Sequence, residues 1–127
     1  MRVLLDTHAF IWWFEDNRRL SVTARDAIAG ATDVFVSVAS CWEIAIKVSR
    51  QKLTLAKPIE RLVPEQLGLN GFQLLPIDLD DVARVATLPF HHRDPFDRLL
   101  VAQALGEELT LVSADPVFRK YGVKRVW

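Results

Sequence analysis

The sequence has 127 residues, of which 50% are apolar, so it can form one sizeable hydrophobic core but not two domains of ordinary size. Sixteen basic and sixteen acidic side chains cancel, which excludes nucleic-acid binding driven by a general positive field. Any contact with nucleic acid must therefore be local. The single cysteine, Cys41, excludes an internal disulfide and is typical of a core thiol in a reducing compartment.

The apolar run "AFIWWF" near the start of the chain is much shorter than a membrane span. It has no basic segment and cleavage site of the kind that marks a signal peptide. We therefore expect a cytoplasmic protein.

Short apolar runs alternate with longer segments of helical period, and this pattern is typical of an α/β fold. Several runs are apolar without alternation, as expected for a parallel sheet that helices cover on both faces. The predicted strands are Arg2–Leu5, Asp33–Val38, Phe72–Ile77, Leu109–Ser113 and Lys124–Trp127.

Helices are predicted between these strands from caps and from hydrophobic spacing. Pro64 is expected to divide one of them into two short helices. Another carries Leu79, Val82, Val85 and Ala86 at one-face spacing, and the last is apolar nearly all round after its first turn, which indicates a buried helix. The predicted helices are Ser21–Gly30, Ser40–Ser49, Pro58–Leu69, Asp78–Leu88 and Pro95–Glu107, and "AFIWWF" is read as a further short helix.

Four acidic residues occupy comparable places in this pattern. Asp6 ends the first strand, Asp115 follows the fourth, Glu43 lies in the first turn after the second, and Asp97 opens the buried helix. The ligand crevice of an open α/β sheet lies beyond the carboxyl ends of its strands, so we expect these acids to converge. Clustered carboxylates need a cation among them, and oxygen-only ligands suit Mg²⁺ or Mn²⁺ and not zinc.

A structural interpretation also accounts for most of these acids taken singly. In "DPFD" Asp94 would cap a helix, Ser40 and Glu43 would form a capping box, and Asp115 before a proline is a further cap. Only Asp6 lacks such a ready explanation: "DTHAF" could also start a helix, but a bare aspartate at a buried strand end is costly. Spacing alone leaves metal binding and helix capping open.

Four separated blocks carry a family resemblance. The segments "LLDTHAFIWW", "VSVASCWEIAIKVSRQKL", "HHRDPFDRLLVAQAL" and "LTLVSADPVFRKYGV" together resemble the PIN-domain nucleases, specifically the VapC-type toxins of type II toxin–antitoxin pairs. The blocks occur in the family's order and cover nearly the whole chain. The resemblance implies a PIN-like three-layer fold, with a parallel sheet of about five strands flanked by helices, in a single domain of residues 1–127.

The resemblance also implies an endoribonuclease that cleaves RNA phosphodiester bonds with a water activated by Mg²⁺ or Mn²⁺. The family's four acids map onto Asp6, Glu43, Asp97 and Asp115. We expect Asp6 and Asp97 to be direct metal ligands, and Asp115 to be a ligand or to support one. Glu43 would bind through water or act as a general base.

Other residues would support this pocket. Thr7 and Ser113 could orient the carboxylates through their hydroxyls. Asp94 is not the family's usual third acid, so it is expected to support the pocket and not to be one of its four acids. Many relatives have asparagine directly before the fourth acid, whereas this chain has Ala114, which removes a polar contact at the edge of the pocket. The candidate RNA contacts are His91, His92, Arg98 and Lys47, each with a solvated or salt-bridged alternative.

Two adjacent tryptophans on a short helix cannot both point inward, so Phe10, Trp12 and Trp13 are candidates for an interface. The resemblance implies two such interfaces, a homodimer and a VapB-type antitoxin that blocks the pocket.

Two alternatives to a nuclease remain at the level of sequence. A phosphoacceptor receiver domain is also an α/β fold with an acidic Mg²⁺ pocket, but it needs an acid pair after its first strand, where Asp6 stands alone. A non-catalytic binding module would use its acids only as helix caps and would bind no divalent metal.

Overall fold

A computed structural model describes residues 1–127 as five strands, six α-helices and one 3-10 helix. The α/β prediction is confirmed. In chain order the elements are β1 (Arg2–Leu5), α1 (Thr7–Phe14), α2 (Val22–Gly30), β2 (Asp33–Ser37), α3 (Val38–Ser49), α4 (Ile59–Asn70), β3 (Gln73–Leu75), α5 (Leu79–Val85), α6 (Pro95–Glu107), β4 (Thr110–Val112), the 3-10 helix (Pro116–Tyr121) and β5 (Arg125–Val126).

The five strands form one parallel sheet in the order β3-β2-β1-β4-β5. β1 is central, with Leu5 opposite Val36 of β2 on one side and Val112 of β4 on the other. The chain builds the sheet outward from β1 in one direction and then returns to its other side. Because the strand order reverses between β1 and β4, a crevice opens beyond their carboxyl ends.

Helices cover both faces of the sheet and produce the three layers that were predicted. Successive side chains of β1 point to opposite faces, so Val3 and Leu5 belong to one core and Leu4 to the other. The first core includes Phe10 of α1 together with residues of α2, α3 and α4, and the second includes Leu100 of α6 and residues of the 3-10 helix. The central strand β1 is therefore apolar on both faces, as its sequence indicates.

Three helix predictions differ from the structure. α5 ends at Val85 and not at Leu88. α3 begins at Val38 and not at Ser40, because the hydroxyl of Ser37 accepts a hydrogen bond from the backbone N–H of Ala39 and caps the helix there. α4 is one continuous helix through Pro64, whose ring lies on the exposed side. Its neighbour Val63 is buried in the core, so packing holds the helix together where one backbone hydrogen bond is missing.

The apolar spacing of α5 does not identify its buried face. Leu79 is 79% exposed and Val82 is 52% exposed, whereas Asp81 is only 5% exposed. A capping box between Asp78 and Asp81 turns Asp81 inward, where its carboxylate also accepts a hydrogen bond from the Gln103 amide. Polar pairing therefore sets the orientation of this helix.

None of the helices combines the length and the apolar character that a membrane span requires.

Candidate active site

The acids selected from the sequence line one cleft of about 330 Å³. The cleft lies beyond the carboxyl ends of β1 and β4, where the order of the strands in the sheet reverses. Nearly all of its lining is polar or charged. The lining residues are Asp6, Thr7, His8, Glu43, Lys47, Asp94, Asp97, Asp115 and Phe118.

Size alone does not distinguish this cleft from the others. A larger one, of about 570 Å³, lies at the opposite edge of the sheet near the start of β1 and β4, and Glu108 is its one acidic residue. The acidic cleft is distinguished by its chemistry, because it gathers five carboxylates into a small and partly enclosed volume.

Asp6 follows β1 directly and begins α1. Its Oδ1 accepts a hydrogen bond from the backbone N–H of Ala9 at 2.8 Å, and its own N–H donates to the carbonyl of Val112 at 3.1 Å. Asp6 is therefore a helix cap as well, which corrects the expectation that it had no local structural role. Burial raises the pKa of Asp6, although the Ser113 side chain and the Ala9 N–H act in the opposite direction.

Asp94 and Asp97 have different positions at the start of α6, because Asp94 caps the helix and Asp97 lies in its first turn. The Asp94 carboxylate accepts hydrogen bonds from the backbone N–H groups of Phe96 at 2.8 Å and Asp97 at 3.3 Å, so Asp94 is the N-cap as predicted. Burial, followed by the negative charge of Asp94, raises the pKa of Asp97 to about 7. The charges of Glu43 and Asp6 add to this shift. The surroundings of the Asp97 carboxyl therefore disfavour its negative charge.

Glu43 is held in the cleft by Thr7 and Lys47. The Thr7 hydroxyl lies 2.6 Å from Oε1 of Glu43 and 3.0 Å from Oγ of Ser40, and Lys47 Nζ lies 3.2 Å from Oε2 of Glu43. A carboxylate only accepts hydrogen bonds and a hydroxyl has one proton, so Thr7 donates to Glu43 and accepts from Ser40. The predicted capping box of Ser40 and Glu43 is absent, because both residues lie within α3.

Asp115 follows β4 and caps the 3-10 helix. Its Oδ1 accepts a hydrogen bond from the Val117 N–H at 2.9 Å, and its Oδ2 lies 2.7 Å from Nε2 of His92. Burial acts to raise the pKa of Asp115, but the hydrogen bonds from His92 and Val117 outweigh it and this pKa is lowered. The Ser113 hydroxyl accepts a hydrogen bond from the Asp115 N–H at 3.1 Å, so it orders the turn that carries this acid.

Two of the residues predicted to contact RNA, Arg98 and His92, are largely buried in the structure. Arg98 is only 6% exposed, and its guanidinium donates hydrogen bonds to the carbonyls of Pro89, Leu88 and Val85. It faces the protein interior, which corrects its assignment to RNA.

His92 is also not a solvated loop residue, because its side chain is 10% exposed and bonds to Asp115. His91 is exposed, and Lys47 lines the cleft while paired with Glu43. The contact between His92 and Asp115 joins residues 23 positions apart. No local pattern in the sequence indicates that contact.

The predicted interface on α1 is narrower than the sequence suggests. Phe10 is fully buried in the core, so its assignment to an interface is wrong. Trp12 and Trp13 are half-buried. The ring centroid of Trp12 lies 5.8 Å from that of Trp127, and the ring centroid of Trp13 lies 5.6 Å from that of Phe72. Both tryptophans therefore keep part of their surface accessible.

The donor set of the cleft fits a hard divalent cation. Its acids provide only oxygen ligands, and the pKa of both Asp6 and Asp97 is raised by surroundings that disfavour their negative charge. A cation between them would relieve this repulsion. No group of three or more histidine, cysteine, aspartate or glutamate side chains is arranged to hold a metal ion.

Comparison with known proteins agrees with this fold and cleft. The family model for the PIN domain matches residues 3–124, and the chain belongs to the PIN-domain family. The chain is of the VapC type. It is 32% identical over 120 residues to Ribonuclease VapC22 of Mycobacterium tuberculosis, and the aligned residues cover 94% of this chain and 91% of that protein. The phosphoacceptor alternative is thereby excluded.

Solved structures share the fold at low sequence identity. VapBC2 from Rickettsia felis, bound to a DNA fragment from its promoter, has a TM-score of 0.71 at 14% identity and covers 98% of this chain and 97% of the other. DNA-bound VapBC from Salmonella typhimurium has a TM-score of 0.69 at 16% identity, with 98% and 96% covered. At such identities these structures support the fold alone.

Proposed function

We propose that this protein is the toxin of a toxin–antitoxin pair and acts as an endoribonuclease that depends on Mg²⁺ or Mn²⁺. One observation carries the proposal: carboxylates from β1, α3, α6 and the end of β4 line a single cleft in which the pKa of Asp97 is raised to about 7. Such a cluster is unfavourable without a cation. The similarity to Ribonuclease VapC22 supports RNA as the substrate.

In this proposal Asp6 and Asp97 hold the metal directly, and Asp115 completes the ligand set or supports it. An ion held by these residues would supply Lewis acidity toward water and toward the charge on the phosphate. Glu43 lies at the side of the cleft, where it can bind through water or accept a proton. Thr7 fixes the orientation of Glu43, and the dipole at the start of α6 favours negative charge near Asp97.

Helix capping alone accounts for the cleft less well. Asp6, Asp94 and Asp115 each cap a helix, so a non-catalytic protein could retain them for structure. Asp97 and Glu43 cap nothing, yet both face the same acidic cleft. Burial and the neighbouring carboxylates raise the pKa of Asp97, so its charge is held there at a cost that capping does not explain, which supports a role beyond folding.

The test is cleavage of mixed small RNAs by the purified, antitoxin-free protein with Mg²⁺, with Mn²⁺ and with EDTA. We expect cleavage only with metal, and its loss in Asp6→Asn, which preserves the helix cap and removes the charge. Asp78→Asn is a matched control, because Asp78 caps α5 outside the cleft. Undiminished cleavage in EDTA, or in Asp6→Asn, contradicts the metal mechanism.

A VapB-type antitoxin is the proposed partner, because similar solved structures are toxin–antitoxin complexes. A homodimer is also proposed, and it rests on the family resemblance alone. A cleft of about 330 Å³ beside the end of α1 could receive a peptide. Its lining combines apolar and charged side chains, including Phe14, Leu62 and Glu65. This combination fits an amphipathic segment.

Substitution at the rim of this second cleft tests the partner. Thr54→Arg places a bulky charge on an exposed lining residue, and Thr87→Arg is a control at an exposed position in the turn after α5. We expect wild-type expression to arrest growth and antitoxin co-expression to restore it. Rescue should fail for Thr54→Arg only, and equal rescue of both variants contradicts this location.

A further inference from the structure

The His92 ring lies between Asp115 and Tyr121 and contacts both through its nitrogens. Nε2 is 2.7 Å from Oδ2 of Asp115, and Nδ1 is 2.9 Å from the Tyr121 hydroxyl. The ring is stacked on Tyr121 at an interplanar angle of 10° and packs against Phe118 with centroids 4.7 Å apart. Packing and hydrogen bonds together leave this imidazole one orientation.

The chemistry of the three groups sets the direction of these hydrogen bonds. The Asp115 carboxylate can only accept, so Nε2 carries the proton and donates it to Oδ2. In the neutral ring Nδ1 then accepts from the Tyr121 hydroxyl. Tyr121 therefore fixes His92, and His92 fixes Asp115.

This chain of hydrogen bonds holds Asp115 from outside the acidic cleft. Oδ1 of Asp115 accepts from the Val117 N–H and Oδ2 from His92, so each oxygen has one fixed donor and retains a lone pair. Both ring nitrogens of His92 are engaged, which leaves none for a metal ion. A histidine beside an acidic cleft is here a partner of a carboxylate and not a ligand.

We propose that His92, held by Tyr121, is a positioning residue that presents the Asp115 carboxylate to the metal site. The proposal rests on the metal-dependent function proposed above. Hydrogen-bonded partners of this kind orient metal-binding carboxylates, and their loss weakens metal affinity roughly tenfold to a hundredfold.

Two substitutions at His92 separate positioning from support of the loop. In His92→Gln the amide nitrogen reaches the place of Nε2 and can still donate to Asp115. In His92→Asn the shorter side chain reaches only the place of Nδ1, so the donor to Asp115 is lost. A residue that merely anchors the loop to the 3-10 helix would lower the melting temperature in both variants without separating their metal affinities.

The experiment is titration calorimetry of the full, antitoxin-free chain with Mn²⁺ alone, together with the melting temperature of each variant in EDTA. We expect His92→Asn to weaken Mn²⁺ binding about tenfold or more and His92→Gln to remain within about threefold of the wild type. Tyr121→Phe removes only the hydroxyl and should give an intermediate loss. It also provides a result if His92→Asn fails to fold.

Three outcomes oppose the proposal. Wild-type affinity in both His92→Asn and Tyr121→Phe overturns it, and so does an equal loss in His92→Gln and His92→Asn. A wild-type chain that binds no Mn²⁺ overturns the proposed metal-dependent function itself, and the positioning role falls with it.

Discussion

The hydroxyl of Thr7 lies 2.6 Å from Oε1 of Glu43, although the two residues are 36 positions apart in the chain. Thr7 is buried and follows Asp6 directly, so one short segment supplies an acid of the cleft and fixes the orientation of another. Ser40, fully buried on α3, completes the contact from the other side of Thr7.

Replacing Thr7 tests this contact. Thr7→Val has nearly the same shape but leaves Glu43 and Ser40 without their shared partner, so we expect RNA cleavage to fall by roughly tenfold. Thr7→Ser keeps the hydroxyl and should lose no more than about threefold. Equal cleavage rates for the valine and serine variants in initial-rate assays with Mg²⁺ contradict a role for the hydroxyl.

The start of α6 tests the division of roles between neighbouring acids. Asp94→Asn preserves the N-cap, because asparagine caps as well as aspartate, and most of the cleavage activity should remain. Asp97→Asn keeps the shape of the side chain and removes its charge, so cleavage should be lost. Cleavage rates for both variants under the same metal concentration provide the measurement. The reverse pattern would make Asp94 the ligand and Asp97 the accessory acid.

Local signals predicted the parts of this fold that depend on neighbours in the chain. The bounds of α6 match the prediction because "DPFD" contains both its cap and its first-turn proline. β1 also matches, and the other strands differ only at their ends. The position of Asp6 and Asp115 beside the same cleft follows from parallel strands, whose carboxyl ends share one edge of the sheet.

Contacts between distant segments could not be predicted in the same way. Asp81 faces inward, where Gln103 of another helix donates a hydrogen bond to it in addition to the capping box, and Leu79 and Val82 of the predicted apolar face are exposed instead. His92 lies in a polar loop and Arg98 in the first turn of α6, where each was a candidate RNA contact, yet each has partners from other elements. Such pairings depend on the assembled fold and leave no periodic signal in the sequence.

Arg98 should contribute mainly to stability. Its guanidinium donates to three carbonyls between Val85 and Pro89 and lies 4.1 Å from the centre of the Phe90 ring, so it anchors the segment that precedes α6. Arg98→Met removes all three of these hydrogen bonds. The Val85 and Pro89 carbonyls keep backbone N–H donors, but the Leu88 carbonyl loses its donor, and we expect the total cost to be about 2–4 kcal/mol. The melting temperature should then fall by roughly 10 °C.

Arg93→Met is the matched control for this prediction. Arg93 is an exposed arginine of the same segment, and its replacement should change the melting temperature by no more than about 2 °C. Thermal unfolding of both variants, followed by circular dichroism, decides between an anchor and a surface charge. If Arg98→Met melts within about 2 °C of the wild type, the anchoring role is wrong.

The carboxyl of Asp97 should make the stability of the protein in EDTA depend on pH. Its pKa is about 7 in the folded protein, against an ordinary value of 3.8. Between these values the folded chain holds a proton that the unfolded chain has released, so folding takes up a proton. Raising the pH through this interval therefore lowers the free energy of unfolding, and above the folded pKa the loss is complete.

Asp97→Asn removes this ionisation and keeps the size of the side chain, so the variant should escape the loss of stability. We expect the melting temperature of Asp97→Asn to exceed that of the wild type, by an amount that grows from about pH 5 to about pH 8. Asp78→Asn controls for the removal of one negative charge outside the cleft. Thermal unfolding in EDTA at several pH values provides the measurement. If the difference in melting temperature between Asp97→Asn and the wild type stays constant or shrinks as the pH rises, the cleft does not disfavour the Asp97 charge. The case for a cation in the cleft is then weaker.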